Sequence, residues 1–219
     1  MIKNKSYETA LFDLDGTLID SGEGITNSVA YSLKKFGIDI TDKSELYSFI
    51  GPPLHESYMK FYGFSEEKAK LAVEYYREYY RKKGIFENQI YEGVEALLQR
   101  LHDKGITLMV ATSKPELFAR QILEQLNLAD YFTCIAGANM DQTMTKKAEV
   151  ISYALTTAGI SDASKAIMIG DREHDILGAK AAGIDALGVL FGYGSYEELK
   201  NAGADYIVEK AEEIETVFC

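Results

Sequence analysis

The sequence predicts an α/β protein, a doubly wound parallel-sheet core of Rossmann-like kind with an inserted all-helical domain. Three features carry that expectation. Short apolar runs recur at 10–14, 106–111, 132–136, 166–169 and 186–190, each bounded by Gly, Asp or Asn. Helical-looking segments lie between the later runs, and strands alternating with helices imply parallel pairing with both sheet faces covered. About 90 residues separate the first run from the second, far more than one crossover helix needs, so something is inserted there. The expected division is a core of 1–19 and 85–219 with a helical domain at 20–84.

The elements follow in chain order. The run at 10–14 is followed at once by Gly16 and Thr17, the mark of a buried strand ending in a tight turn. Within the insert, 65–82 places Ala69, Ala72, Val73, Tyr76, Tyr79 and Tyr80 at helical spacing, with Glu66, Glu67, Lys70, Glu74 and Arg81 on other faces. Its tyrosine pairs read as core and rim packing rather than as a ligand box. Further along, Pro115 suits a first helical position before Glu116, and Ser195 with Glu198 forms a capping box. No repeat or low-complexity tract interrupts the pattern.

Composition narrows the function classes. The chain has 219 residues, 47% hydrophobic, enough for a sizeable core, and a formal net charge of −11. Such a field repels phosphodiester backbones and anionic lipid heads, so neither nucleic acid nor membrane is an expected partner. The same field gathers Mg2+ and opposes a phosphorylated small molecule unless the site carries local positive charge, which calls for a metal or a lysine there. Cys134 and Cys219 form no CxxC pair and face no His cluster, so neither a disulfide framework nor zinc is expected. With no apolar leader and no run near ~20 apolar residues, the expected location is the cytoplasm.

Four stations carry chemistry. In FDLDGTL at 12–18, Asp13 and Asp15 sit two apart at the carboxyl end of the first strand, where open α/β sheets bind ligands. Two carboxylates there need a cation or a shared proton, and oxygen-only coordination suits Mg2+; alone, a DxDG turn is also an ordinary loop. A second acidic pair, Asp171 and Asp175, follows the strand at 166–169 and opens a helix, as a metal site or as a helix cap. Thr112 and Ser113 stand at another strand end, ahead of a helix whose first amides suit an anion. Lys146 and Lys147 open a helix, against its dipole, which a nearby anion would explain.

Taken together, these stations resemble the haloacid dehalogenase superfamily, and the likeness runs over nearly the whole chain. The nearest branch resembles the phosphoglycolate-phosphatase-like and nucleotidase-like hydrolases, whose small helical cap the insert is similar to. The resemblance implies Asp13 as the nucleophile that forms an aspartyl-phosphate and Asp15 as the general acid and base. It implies Thr112, Ser113 and Lys147 as phosphate-binding groups, with Lys146 as the alternative lysine because the commoner Pro after the lysine is absent here. Mg2+ is implied on Asp13, Asp171, the Asp15 backbone carbonyl and Asp175, the last directly or through water. In the cap, Gly51, Pro52 and His55 resemble a substrate-specificity loop; His55 also reads as a solvent-facing residue at a helix start. His102 and His174 read as surface residues.

The expected function is a Mg2+-dependent phosphatase of small phosphate monoesters, with phosphoglycolate or a nucleoside monophosphate favoured and the chain a monomer or homodimer. A phosphomutase, which passes the phosphoryl group to a sugar hydroxyl, is the nearer rival. A receiver-like signalling module fits less well, because its phosphorylated Asp lies on a later strand and it needs no insert. A noncatalytic binding protein fits poorly with Asp13, Asp15 and Asp171 all present. Hinges are expected near Asp20–Ser21 and Gly84–Glu87, where the chain leaves and re-enters the core.

Overall fold

The computed structural model describes residues 5–141 and 143–218; Cys219 lies outside them. The chain divides into two compact units, 1–19 with 90–219, and 20–89. In chain order the elements begin with β1 (Thr9–Phe12), β2 (Ile19–Asp20), α1 (Gly22–Lys34), α2 (Leu54–Tyr62), α3 (Glu66–Tyr80) and β3 (Gln89–Ile90). There follow α4 (Val94–Asp103), β4 (Thr107–Pro115), α5 (Glu116–Gln125), β5 (Cys134–Ala138) and α6 (Lys147–Thr157). The chain continues through β6 (Ala166–Gly170), α7 (Glu173–Ala181), β7 (Asp185–Val189), α8 (Tyr196–Ala202) and β8 (Tyr206–Val208).

The larger unit is a six-stranded parallel sheet in the order β5-β4-β1-β6-β7-β8. From β1 the chain builds outward through β4 and β5, then returns to the other side of β1 for β6, β7 and β8. The connections therefore diverge between β1 and β6, opening a crevice at their carboxyl ends. Register brings those ends level, since Phe12 pairs with Val110 on one side and Ile169 on the other. The strands are continuously apolar because both sheet faces are covered. One layer packs Leu11, Met109 and Met168 under Val150, Ile151 and Ile176 of α6 and α7. A fully buried leucine such as Leu11 contributes about 1.5–3 kcal/mol.

Strand ends differ in detail from the sequence reading. β4 runs on to Pro115 instead of stopping at Ala111, with an irregularity between Thr112 and Pro115. Pro115 is accordingly not the first helical residue: its ψ of 129° keeps it extended as the N-cap of α5. Ser195 does cap α8, accepting from the Glu198 amide at 3.2 Å.

In the smaller unit α1 packs on α3, and Ser32 Oγ donates to the Ala72 carbonyl at 2.7 Å between them. Ser65 accepts from the Lys68 amide and starts α3. Ala69, Ala72, Val73, Tyr76 and Tyr80 form its buried face, with the last two rings stacked 5.3 Å apart. This unit extends past 84, the end expected for the insert, as far as Gln89. The reason is local: the Glu87 carbonyl accepts from the Gly24 amide, and its carboxylate accepts from Asn27 Nδ2 (2.9 Å) and Tyr79 OH (3.1 Å). These bonds hold the returning segment to α1 and α3. Among the described residues no helix is long and apolar enough to cross a membrane.

Candidate active site

The turn after β1 begins the site. Asp13 N donates to the Ile169 carbonyl at 2.9 Å, tying the first carboxylate to the end of β6. Gly16 follows with φ +85°, a left-handed conformation that glycine adopts at no steric cost. A Cβ there would also lie 2.2 Å from Asp171 Oδ2, so the DxDG glycine is required twice over. Closing the turn on that side, Tyr193 N donates to Asp171 Oδ2 at 2.8 Å.

Asp13, Asp171 and Asp175 each offer a carboxylate oxygen within 4.8 Å of the others, and all three are buried. Asp175 is at once cap and cluster member: its Oδ2 accepts from Arg172 N at 3.1 Å at the start of α7, while Oδ1 lies 2.8 Å from Lys147 Nζ. The cap reading of that helix start is realised by this side chain, which also lies within the acidic cluster. Lys147 Nζ stands 2.8 Å from Asp13 Oδ1 and donates to the Ala111 carbonyl at 3.0 Å. Lys146, one residue earlier, is exposed.

Burial sets the electrostatics. It pushes the Asp13 carboxyl up to about 6, with Lys147 pulling down and Asp175 pushing further up. It drives Asp171 well above the carboxylate range, with Asp175 and Asp13 adding to the effect. For Lys147 burial works the other way, but the Asp13 and Asp175 carboxylates outweigh it and hold the ammonium above the ordinary lysine range. Carboxyl groups crowded in this way favour a shared proton or a cation, and three close oxygen donors fit a divalent cation such as Mg2+.

Asp15 stands apart from this cluster. Its Oδ2 pairs with Lys114 Nζ at 2.8 Å, and both side chains are buried. Lys114 carries no role in the sequence expectation, although it stands two residues from Thr112, a spacing that a regular strand puts on one face. Thr112 is buried at the end of β4, its Oγ1 accepting from Lys114 N at 3.2 Å. Ser113 Oγ donates to the Thr145 carbonyl at 3.3 Å, linking this loop to the segment before Lys147.

Gly51, Pro52 and His55 belong to the helical unit. Gly51 turns there at φ +98°, and Pro53 is the N-cap of α2. His55 is half-buried rather than solvent-facing, and its Nε2 is enclosed without a hydrogen-bond partner. His102 and His174 are exposed.

Acidic residues from two adjoining strand ends thus meet buried lysines at the switch point of a doubly wound sheet. The chain belongs to the haloacid dehalogenase-like hydrolase family, whose model matches residues 10–189. It is 46% identical over 194 residues to a 5'-nucleotidase of Pseudomonas aeruginosa, covering 89% of this chain and 87% of that one. It is 35% identical over 207 residues to tyrosine-protein kinase PtkA of Mycobacterium tuberculosis, covering 94% and 70% of the two chains. The crystal structure of a predicted phosphatase from Clostridium acetobutylicum superposes with a TM-score of 0.94 at 52% identity, covering 97% and 98%. The family is one of hydrolases, and the chain is a member of it.

Proposed function

We propose that the protein hydrolyses small phosphate monoesters in two steps through an aspartyl-phosphate on Asp13, with nucleoside monophosphates the favoured substrates and phosphoglycolate next. The observation that carries this reading is the meeting of Lys147 with Asp13 and Asp175 beside Asp171 at the ends of β1 and β6. In the first step an Asp13 carboxylate oxygen attacks phosphorus while Asp15 protonates the departing ester oxygen. In the second, Asp15 takes a proton from water, whose oxygen attacks the phosphoryl group and restores Asp13. Lys147, Thr112 and the Ser113 amide neutralise and orient the phosphoryl oxygens.

Asp13, Asp171 and Asp175, with the Asp15 backbone carbonyl, are the residues that would hold Mg2+. Bound there, the ion supplies charge neutralisation for the nucleophile and the phosphoryl group. The helical unit, with Gly51, Pro52 and His55, sets which ester is accepted in this reading. The nucleotide preference is supported by the 5'-nucleotidase relative.

The test is phosphate release with Mg2+ from a panel of nucleoside 5'-monophosphates, phosphoglycolate and sugar phosphates. Release that is fastest on a mononucleotide is the expected result. No release from any ester, or a phosphoryl group that leaves Asp13 only for a sugar hydroxyl in the presence of a sugar bisphosphate, would overturn it, the latter in favour of a mutase.

A further inference from the structure

Beside the carboxylate cluster lies a second buried ion pair. Lys114 Nζ is 2.8 Å from Asp15 Oδ2, with side-chain exposures of only 6% and 8%. The other Asp15 oxygen, Oδ1, is buried without a hydrogen-bond partner. An ammonium offers three donors and no acceptor, so it makes the two oxygens of that carboxyl unlike. Oδ2 is engaged by the ammonium, while no hydrogen bond holds Oδ1.

The backbone is shaped to bring Lys114 to this place. β4 is irregular between Thr112 and Pro115, the kind of break that recurs next to active sites. Thr112 Oγ1 holds the Lys114 amide. On β5, Gly137 leaves room for the bend, since a Cβ there would lie 2.6 Å from Lys114 O and from Glu116 N.

We propose that Lys114 is a positioning residue for the leaving-group step. By engaging Oδ2 it fixes the Asp15 carboxyl so that Oδ1 delivers the proton. The O–H bond to the ester oxygen then forms as the P–O bond breaks, and Asp15 is left as a carboxylate facing the ammonium until water returns the proton. This inference rests on the general-acid reading of Asp15 given above.

Such a role depends on the leaving group. Single-turnover release of the leaving group, measured with Mg2+, isolates the first step from the later attack of water. Lys114→Met should slow release of an alcohol from an alkyl phosphate by about 10²-fold, the lower end of general-acid contributions. Release of nitrophenolate from p-nitrophenyl phosphate, which needs little proton assistance, should slow by no more than about threefold. Asp15→Asn should show the same contrast, and the double variant should be no slower than Asp15→Asn alone. Lys114→Gln, which keeps a donor, should recover part of the alkyl-ester rate; if Lys114→Met does not fold, it carries the same comparison.

An equal loss on both esters, a change confined to KM, or no loss would overturn the positioning role while leaving the phosphatase reading intact. A wild-type protein that releases neither leaving group would overturn both.

Discussion

A Cβ on Gly178 of α7 would lie 2.6 Å from Lys147 Cβ, so the lysine of the site is seated against a helix that leaves no room for a methyl group. The contact falls near the root of the lysine side chain, where rotation cannot relieve it. Gly178→Ala should therefore push α6 and α7 apart. Urea unfolding is expected to show a loss of about 1–3 kcal/mol, the usual cost of overpacking. Turnover should fall with it, because Lys147 Nζ is aimed by that packing.

The two neighbouring lysines should respond differently to replacement. Lys147→Met leaves Asp13 and Asp175 buried without their shared cation, and removing one partner of such a set costs about 3–5 kcal/mol. Lys146 is exposed, and Lys146→Ala should stay within about 0.5 kcal/mol and keep its turnover. Denaturation and phosphate release on both variants check the pair. Equal effects would show that the ammonium beside Asp13 is not the one the enzyme uses.

Asp13 gives the metal-free protein a pH signature. Its folded pKa of about 6 stands above the ordinary value of 3.8, so the folded state holds the proton more tightly than the unfolded one. This group's contribution is fully present below pH 3.8 and is lost as pH rises through about 6. Metal binding needs the carboxylate, so it competes with that proton. The rise in melting temperature caused by Mg2+ should be small at pH 5 and grow through pH 7. Asp171→Asn should largely abolish the rise at either pH. An increment that shrinks as pH rises would contradict the assignment of these carboxylates to the metal.

Much of the framework was legible because the strands are short apolar runs with Gly or Asp at their carboxyl ends, which locates Asp13 and Asp171 at the edge of a parallel sheet before any pairing is known. Other features were not. The resemblance points to Lys147 with Lys146 as the alternative, and it is the packing of Lys147 against Gly178, with Lys146 exposed, that separates the two in burial. Lys114 lies beyond the apolar run that ends at Ala111, and the extension of β4 to Pro115 through an irregularity depends on Gly137 of a neighbouring strand, a tertiary contact. The insert runs on to Gln89 for a similar reason, since Glu87 bonds to Asn27, 60 residues earlier, as well as to the nearby Tyr79.

The central claim is that Asp13 is the nucleophile of a metal-assisted phosphatase. Its most direct test is phosphate release from a nucleoside 5'-monophosphate, with Mg2+ or with chelator, comparing the wild-type chain with Asp13→Asn. Turnover is expected only where Mg2+ and Asp13 are both present. Asp13→Asn turnover within tenfold of wild type, or full turnover in chelator, would contradict it.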